Sequence, residues 1–201
     1  MSVTFDAVSF AYGKTSVLRE VTWRLPDHGV ICLWGASGCG KTTALRLLAG
    51  LEKPTSGKVI GGGRVSMVFQ ENRLLPWLTV LQNVTLIGVE ETTARDLLAT
   101  LGLTEEEMID YPDHLSGGQQ RRVALARGLA AESDVLLLDE PFNGLDEDTW
   151  QDVVPLILKV AENKPVVLVT HIREQILALN AAVIRLGETP QSGEWQTVDF
   201  L

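Results

Sequence analysis

The sequence predicts an α/β fold built on a parallel sheet, because short apolar runs alternate along the chain with segments of helical periodicity. The apolar runs have strand length and are mostly free of charge, as expected of strands buried on both faces of a parallel sheet. They cover residues 30–34, 65–69, 135–138, 166–169 and 182–186. The helical patterns cover residues 41–49, 94–101, 119–131 and 146–162, and Pro155 interrupts the last of them.

Two regions depart from this alternation. Residues 2–10 and 17–25 each alternate apolar with polar side chains around a turn at Gly13-Lys14, so we expect a pair of antiparallel strands. Residues from about 73 to 133 contain no strand-like run, which predicts a helical insertion. The expected division is a single domain over 1–201, with a core of 1–72 and 134–201 and a helical subdomain at about 73–133.

The composition narrows the function classes. A formal net charge of −9 and a pI near 4.8 repel phosphate backbones, so nucleic acid is not an expected partner. Two cysteines, Cys32 and Cys39, lack the spacing of a disulfide framework or metal site and favour the reducing cytosol. No apolar run is long enough to span a bilayer, and the first residues lack the pattern of a signal peptide. If the protein works at a membrane, we therefore expect it to bind there through a partner protein.

A glycine-rich segment follows the first buried run and precedes a helical pattern. Residues 35–42 match the GxxxxGK[ST] pattern of a phosphate-binding loop, whose glycines let backbone N–H groups turn toward phosphate at a helix N-terminus. We expect Lys41 to bridge the β- and γ-phosphates and Thr42 to bind Mg²⁺ through its hydroxyl. The residues expected to bind nucleotide here are Gly35, Ala36, Ser37, Gly38, Cys39, Gly40, Lys41, Thr42 and Thr43.

This loop indicates a nucleoside triphosphate but does not identify the reaction, since kinases, GTPases, motors and transport ATPases all use it. The alternative is an ordinary glycine-rich turn with a capping threonine, which the strand and helix on either side disfavour.

Two carboxylates end the apolar run at 135–138. They would lie at the carboxyl edge of the sheet, beside the phosphate-binding loop. We expect Asp139 to hold Mg²⁺, directly or through water, and Glu140 to reach a water aligned with the γ-phosphate and to act on it as a base. A solvated strand end before Pro141 is the alternative for this pair taken alone.

A second anion-binding pattern opens the helix at 119–131. The segment Leu115-Ser116-Gly117-Gly118-Gln119 places a capping serine and two glycines at a helix N-terminus. One ATP cannot easily use both phosphate sites of a chain, so the second site is expected to complete the pocket of another subunit. A chance helix cap is the alternative.

These motifs, in this order, resemble the nucleotide-binding subunit of ABC transporters over nearly the whole chain. The resemblance implies the ABC ATPase fold and hydrolysis of ATP with Mg²⁺ in a head-to-tail dimer, whose signature segment, residues 115–119, closes over the partner's γ-phosphate. It assigns Tyr12 to adenine stacking, Gln70 to sensing of Mg²⁺ and the membrane partner, Asp146 to the D-loop, and His171 to the switch histidine. The residues expected to act in catalysis are Glu140, His171, Lys41 and Gln70, and those expected to hold metal are Thr42, Gln70 and Asp139. From the residues alone, Tyr12 is equally an ordinary strand aromatic and Gln70 a solvated strand end.

Apolar residues directly after Gln70 suggest a docking surface. Leu74, Leu75 and Trp77 surround a proline, which fits either local packing or a groove for a partner's helix. The segment is similar to that of importers for nitrate, sulfonates, taurine and pyrimidine-type vitamin precursors, which favours the groove. The resemblance thus implies a separate integral membrane permease, an external solute-binding protein acting indirectly, and a cytoplasmic location at the inner face of the membrane.

Two rival functions remain at this point. One is a soluble ABC-type ATPase of an assembly or scaffold system, and the other is a small kinase, which would have no use for residues 115–119.

Overall fold

The computed structural model of the chain describes residues 3–186 and 195–198. Within these residues it contains nine strands and seven α-helices. The strands β1 to β9 are Thr4–Tyr12, Thr15–Arg24, Gly29–Trp34, Ser56–Ile60, Val65–Val68, Val135–Asp139, Pro165–Val169, Ala182–Leu186 and Trp195–Val198. The helices α1 to α7 are Lys41–Leu48, Val80–Thr85, Glu91–Thr100, Glu105–Ile109, Gly117–Ala130, Glu147–Ala161 and Arg173–Ala178.

The larger sheet has the strand order β5-β6-β7-β3-β8-β9, and its first five strands are parallel. These five are the apolar runs that the sequence predicts, so the expected α/β class is confirmed. Every residue of β6 and β7 is buried, which explains why their sequences show no alternation. The edge strand β9 runs antiparallel to β8.

A smaller antiparallel sheet with the order β2-β1-β4 lies beside it and confirms the predicted strand pair. The sequence analysis missed its third strand, β4, because its segment SGKVI has only two apolar residues and is mostly exposed. Such a strand is specified by pairing with β1 rather than by its own pattern.

Two apolar clusters fill the two sides of the larger sheet. Cys32, Leu136 and Val166 point to the side covered by the helical insertion and α6. Their neighbours Ile31 and Leu137 point to the other side, where α1 and the antiparallel sheet pack. The strands therefore cannot slip by one residue without exchanging buried faces, and this fixes which side chains reach the carboxyl edge of the sheet.

Helices α2 to α5 form the insertion between β5 and β6. The sequence analysis missed α2 and α4, because six and five residues are too few to show a helical period. It also began α5 two residues late, since the helix starts at Gly117 directly after its Ser116 cap. Pro155 lies inside α6 on an exposed face and does not end the helix.

No helix among the described residues has the length and apolar content needed to cross a membrane.

Close packing between α5 and β5 gives a stability prediction. A Cβ atom on Gly128 would lie 2.2 Å from Cγ2 of Val68. We expect Gly128→Ala to lower the free energy of unfolding by about 1–3 kcal/mol through overpacking. The double variant Gly128→Ala/Val68→Ala should lose less than the sum of the two single losses, because truncating Val68 makes room for the methyl group added at 128. Urea unfolding midpoints measure this, and strictly additive losses would contradict the contact.

Candidate active site

The phosphate-binding loop connects β3 to α1 as the sequence predicts. Gly38 and Gly40 have φ values of 79° and 101°, which side chains with a Cβ atom rarely adopt. A Cβ atom on Gly35 would lie 2.7 Å from the Cys39 sulfur and 3.1 Å from the carbonyl oxygen of Leu186. The glycines are thus required by backbone conformation and by close contact, and not only by the motif.

The ammonium of Lys41 is held inside this loop. Its Nζ donates to the carbonyl oxygens of Gly35 at 2.8 Å and Ala36 at 2.9 Å, and only 6% of the residue is exposed. Cys39 contributes its sulfur at 3.8 Å. The buried ammonium needs these acceptors, and a phosphate oxygen could replace them with a stronger, charge-assisted bond.

Thr42 and Asp139 form the oxygen pair that a divalent cation would use. The Thr42 hydroxyl donates to Oδ1 of Asp139 across 3.3 Å, although the residues are 97 positions apart. Burial raises the pKa of Asp139, and the hydrogen bond from Thr42 opposes that shift. A hydroxyl and a carboxylate with few other protein oxygens fit Mg²⁺, which keeps most of its water ligands.

Glu140 and His171 meet at the carboxyl ends of adjacent strands. Nε2 of His171 lies 2.9 Å from Oε1 of Glu140, and both side chains remain partly exposed. Glu140 has φ of 48°, a left-handed conformation that a non-glycine residue adopts only when its surroundings enforce it. After this turn, Glu140 lines the same cleft as residues of the phosphate-binding loop.

A cleft of about 410 Å³ brings most of the predicted residues together. It is lined by Tyr12, Ser37, Gly38, Gly40, Lys41, Thr42, Thr43, Gln70, Glu140 and His171, with Val17 and Val169. Tyr12 is 45% exposed at one side, and its ring meets that of Phe10 edge-on at 4.8 Å. An exposed aromatic ring beside the phosphate-binding loop suits the base of a nucleotide.

The second predicted phosphate site lies outside this cleft. Ser116 caps α5 in a reciprocal pair with Gln119: Ser116 Oγ accepts the Gln119 N–H at 3.2 Å, and Gln119 Oε1 accepts the Ser116 N–H at 2.8 Å. Asp146 similarly caps α6 by accepting the Thr149 N–H at 2.8 Å. A second cavity, of about 520 Å³, adjoins the first because Glu140 and His171 line both. The predicted residues of one chain therefore form two separate groups.

The sequence motifs do not predict a role for Arg121, which binds main-chain carbonyl oxygens at the carboxyl edge of the sheet. This arginine is only 2% exposed and donates to five carbonyl oxygens from two segments of the chain. The acceptors belong to Phe69, Gln70, Asp139, Glu140 and Pro141. Burial lowers its pKa to about 10, while Asp139 and Glu140 oppose that shift, so the guanidinium stays charged at neutral pH.

The sequence offered one indirect signal for this role. Arg121 occupies a position in α5 that the flanking apolar residues mark as facing the core, but its acceptors are main-chain atoms that no motif records.

Comparison with known proteins identifies the family. The family model described as ABC transporter matches residues 18–143, more than half of the chain. The chain belongs to this family. The match does not favour the small-kinase alternative and agrees with a nucleotide-binding ATPase.

Several curated relatives are similar over most of the chain. An aliphatic sulfonates import ATP-binding protein of Shouchella clausii is 44% identical over 89% of this chain and 74% of its own length. A protein of the same description from Rhodococcus jostii is 44% identical over 90% of this chain and 77% of its own. A third, from Paraburkholderia xenovorans, is 42% identical over 98% of this chain and 82% of its own.

Two solved structures have the same fold. One is the ATP-binding cassette MJ0796 as a dimer in a post-hydrolysis state with ADP and Pi, with a TM-score of 0.83 and 28% identity. The other is a dimer of MJ0796, described as a bacterial ABC transporter cassette, with a TM-score of 0.81. Each alignment covers 99% of this chain and 100% of the other, so the expected ABC ATPase fold is confirmed.

The five hydrogen bonds of Arg121 lead to a second prediction. Arg121→Met should lower the free energy of unfolding by on the order of 3 kcal/mol, because it leaves buried carbonyl oxygens without a donor. Arg122→Met is the matched control, since Arg122 donates to the carbonyls of Leu101 and Gly102 away from the cleft. We expect the control to cost about 1 kcal/mol in denaturant unfolding. Equal losses of unfolding free energy in the two variants would show that the hydrogen bonds of Arg121 stabilise the fold no more than those of Arg122.

Proposed function

We propose that the chain is the ATP-hydrolysing subunit of an importer, in which two copies bind ATP between them and drive a separate membrane permease. The names of the curated relatives support import, and a small solute such as an aliphatic sulfonate is the cargo to test first. The relatives do not favour the alternative of a soluble assembly ATPase. The observation that carries hydrolysis is the contact of Glu140 with His171 at the mouth of the phosphate-binding cleft.

The residues of the cleft divide the chemistry among them. The loop N–H groups and Lys41 bind the β- and γ-phosphates, and Tyr12 offers its ring to the base. Thr42 and Asp139 would hold Mg²⁺ with Gln70, and the ion supplies neutralisation of charge on the phosphate oxygens. Glu140 accepts a proton from, or orients, a water in line with the γ-phosphate, and His171 fixes the carboxylate and can donate to a phosphate oxygen.

The separation of the two predicted groups supports a head-to-tail dimer. Ser116 to Gln119 form a helix N-terminus that suits an anion, yet they lie outside the cleft of their own chain. In the dimer, this N-terminus and the Asp146 turn would face the nucleotide of the second copy. The MJ0796 structure, which is a dimer with ADP and Pi, supports the formation of a dimer.

Replacing the general base tests this function. Glu140→Gln should hydrolyse ATP at least about tenfold more slowly with the membrane subunit present, because an amide cannot accept the proton. ATP binding should persist, because Lys41 and the loop are untouched. Glu162→Gln serves as control, since this exposed carboxylate at the end of α6 is remote from the cleft. A normal steady-state rate for Glu140→Gln would exclude Glu140 as the base.

The permease is proposed to dock beside Gln70, Leu74, Leu75 and Trp77. Leu74 and Leu75 are half-buried, whereas Trp77 is 69% exposed. The N–H of Val80 donates to the carbonyl of Asp110 at 2.9 Å and so brings the exposed Ile109 and Tyr111 near this loop. We name Trp77, Ile109 and Tyr111 the Trp77 surface, and an exposed apolar surface of this kind suits a partner's helix.

A buried asparagine makes this loop rigid. Oδ1 of Asn83 accepts the Leu75 N–H at 2.8 Å, and its NH₂ group, with two hydrogens to donate, lies 3.0–3.1 Å from the carbonyl oxygens of Leu75, Leu78 and Thr79. Because Asn83 is fully buried, these bonds are protected from water. A preorganised loop presents Trp77 at low entropic cost to a partner.

Truncating Trp77 tests the docking proposal. In detergent extracts of the source organism's membranes, tagged Trp77→Ala chain should retain at least about tenfold less membrane subunit, as expected for a central aromatic anchor. Ile60→Ala is the control, because Ile60 is also exposed but lies on the antiparallel sheet. Equal retention of the membrane subunit by both variants would show that Trp77 is not part of the docking site.

A further inference from the structure

Two helix caps in the insertion are joined by a single carboxylate. Thr104 caps α4 and Ser116 caps α5, and each helix returns a side chain from its third residue to the cap, Glu107 in α4 and Gln119 in α5. Oε2 of Glu107 accepts the Thr104 N–H at 2.8 Å, which completes the first box. Its other oxygen, Oε1, accepts a hydrogen bond from Nε2 of Gln119.

This second bond determines which way the Gln119 amide faces. The two ends of an amide are nearly equal in shape, but one accepts hydrogen bonds and the other only donates them. With Nε2 directed at the Glu107 carboxylate, Oε1 must face the Ser116 N–H, where it accepts at 2.8 Å. A flipped amide would set its oxygen against the carboxylate and its NH₂ against an N–H.

The orientation matters for the Ser116 hydroxyl. Its oxygen accepts the Gln119 N–H at 3.2 Å, so its own hydrogen is the group that remains for a phosphate oxygen. A flipped or loose Gln119 would leave the Ser116 N–H without its acceptor and release the first turn of α5. The geometry of Ser116 thus depends on a residue in another helix.

We propose that Glu107 is a positioning residue for nucleotide-dependent dimerisation: through the Gln119 amide it holds the Ser116 turn in the conformation that meets the γ-phosphate of the second copy. The inference rests on the proposed function, because it requires the Ser116 site to act across a dimer. Glu107 itself touches neither nucleotide nor the reacting atoms.

Exchanging the two groups tests the proposal in the full-length, hydrolysis-blocked Glu140→Gln chain. Glu107→Gln places an NH₂ against the Gln119 NH₂, and Gln119→Glu places two carboxylates together. The double variant restores complementarity, because the glutamine at 107 can accept from Thr104 and donate to the glutamate at 119, and glutamate also serves as the third residue of a capping box.

The readout is the dissociation constant of the ATP-loaded dimer from sedimentation velocity. We expect each single variant to weaken the dimer roughly tenfold, as for loss of a charge-assisted hydrogen bond. The double variant should dimerise more tightly than either single variant. Affinity of the monomer for a fluorescent ATP analogue should stay unchanged in Glu107→Gln, because Glu107 belongs to neither the phosphate-binding loop nor the signature segment.

A control separates positioning from simple helix stability. Thr104→Ala removes the hydroxyl that accepts the Glu107 N–H at 3.2 Å and leaves the contact with Gln119 in place. Its dimer should match that of the Glu140→Gln parent. Additive single effects, or weakening by Thr104→Ala equal to that by Glu107→Gln, would overturn the proposal.

The same experiment distinguishes failure of the Glu107 proposal from failure of the proposed ATP-dependent dimer. If the parent dimerises with ATP and Glu107→Gln matches it, only the role of Glu107 fails. If the parent stays monomeric at every ATP concentration, the dimer itself fails, and the role of Glu107 fails with it.

Discussion

The register of three neighbouring parallel strands is the constraint on which the site depends. Val169 at the end of β7 pairs with Leu33 on one side and with Asp139 on the other. The next residues on these strands therefore begin the phosphate-binding loop, supply Glu140 and lead to His171. Because the strands are buried between two different apolar clusters, a shift of one residue would exchange the two buried faces along every strand. Groups that are far apart in sequence thus meet because the strands that carry them are neighbours in the sheet.

This edge also carries backbone strain, and Arg121 is placed to offset it. Parallel strands end with carbonyl oxygens that have no further hydrogen-bond partner in the sheet. The left-handed conformation of Glu140 adds a strain energy on the order of 1–2 kcal/mol. Arg121 donates to the carbonyls of Asp139 and Glu140, while the Glu140 N–H donates to Val169. The carboxylate is consequently aimed by main-chain contacts and does not depend on its own rotamer alone.

The parts of the fold that could be predicted are those whose signal is local. Buried strands appear as apolar runs, and the phosphate-binding loop joins a motif to a strand and a helix, so both were found from the sequence. The exposed strand β4 and the short helices α2 and α4 depend on their neighbours, and their own patterns are too weak or too short. Arg121 escaped for a different reason, because its partners are carbonyl oxygens of distant segments that only the folded chain brings close. The partners of Asn83 lie in the adjoining loop, but they are main-chain atoms that no sequence motif records.

Helix α5 connects the two groups of predicted site residues, the cleft and the segment that begins at Ser116. Its cap is Ser116, and Arg121 follows five residues later, a rise of about 7.5 Å along a helix. Between these points the main chain is held by helical hydrogen bonds, so α5 connects the Ser116 cap to the position from which Arg121 extends. Since Arg121 donates to the carbonyls of both Gln70 and Glu140, the same helix contacts the segment before the Trp77 surface and the segment that carries the Glu140 carboxylate. Helix α5 therefore links the Ser116 cap to the proposed docking surface and to the proposed general base.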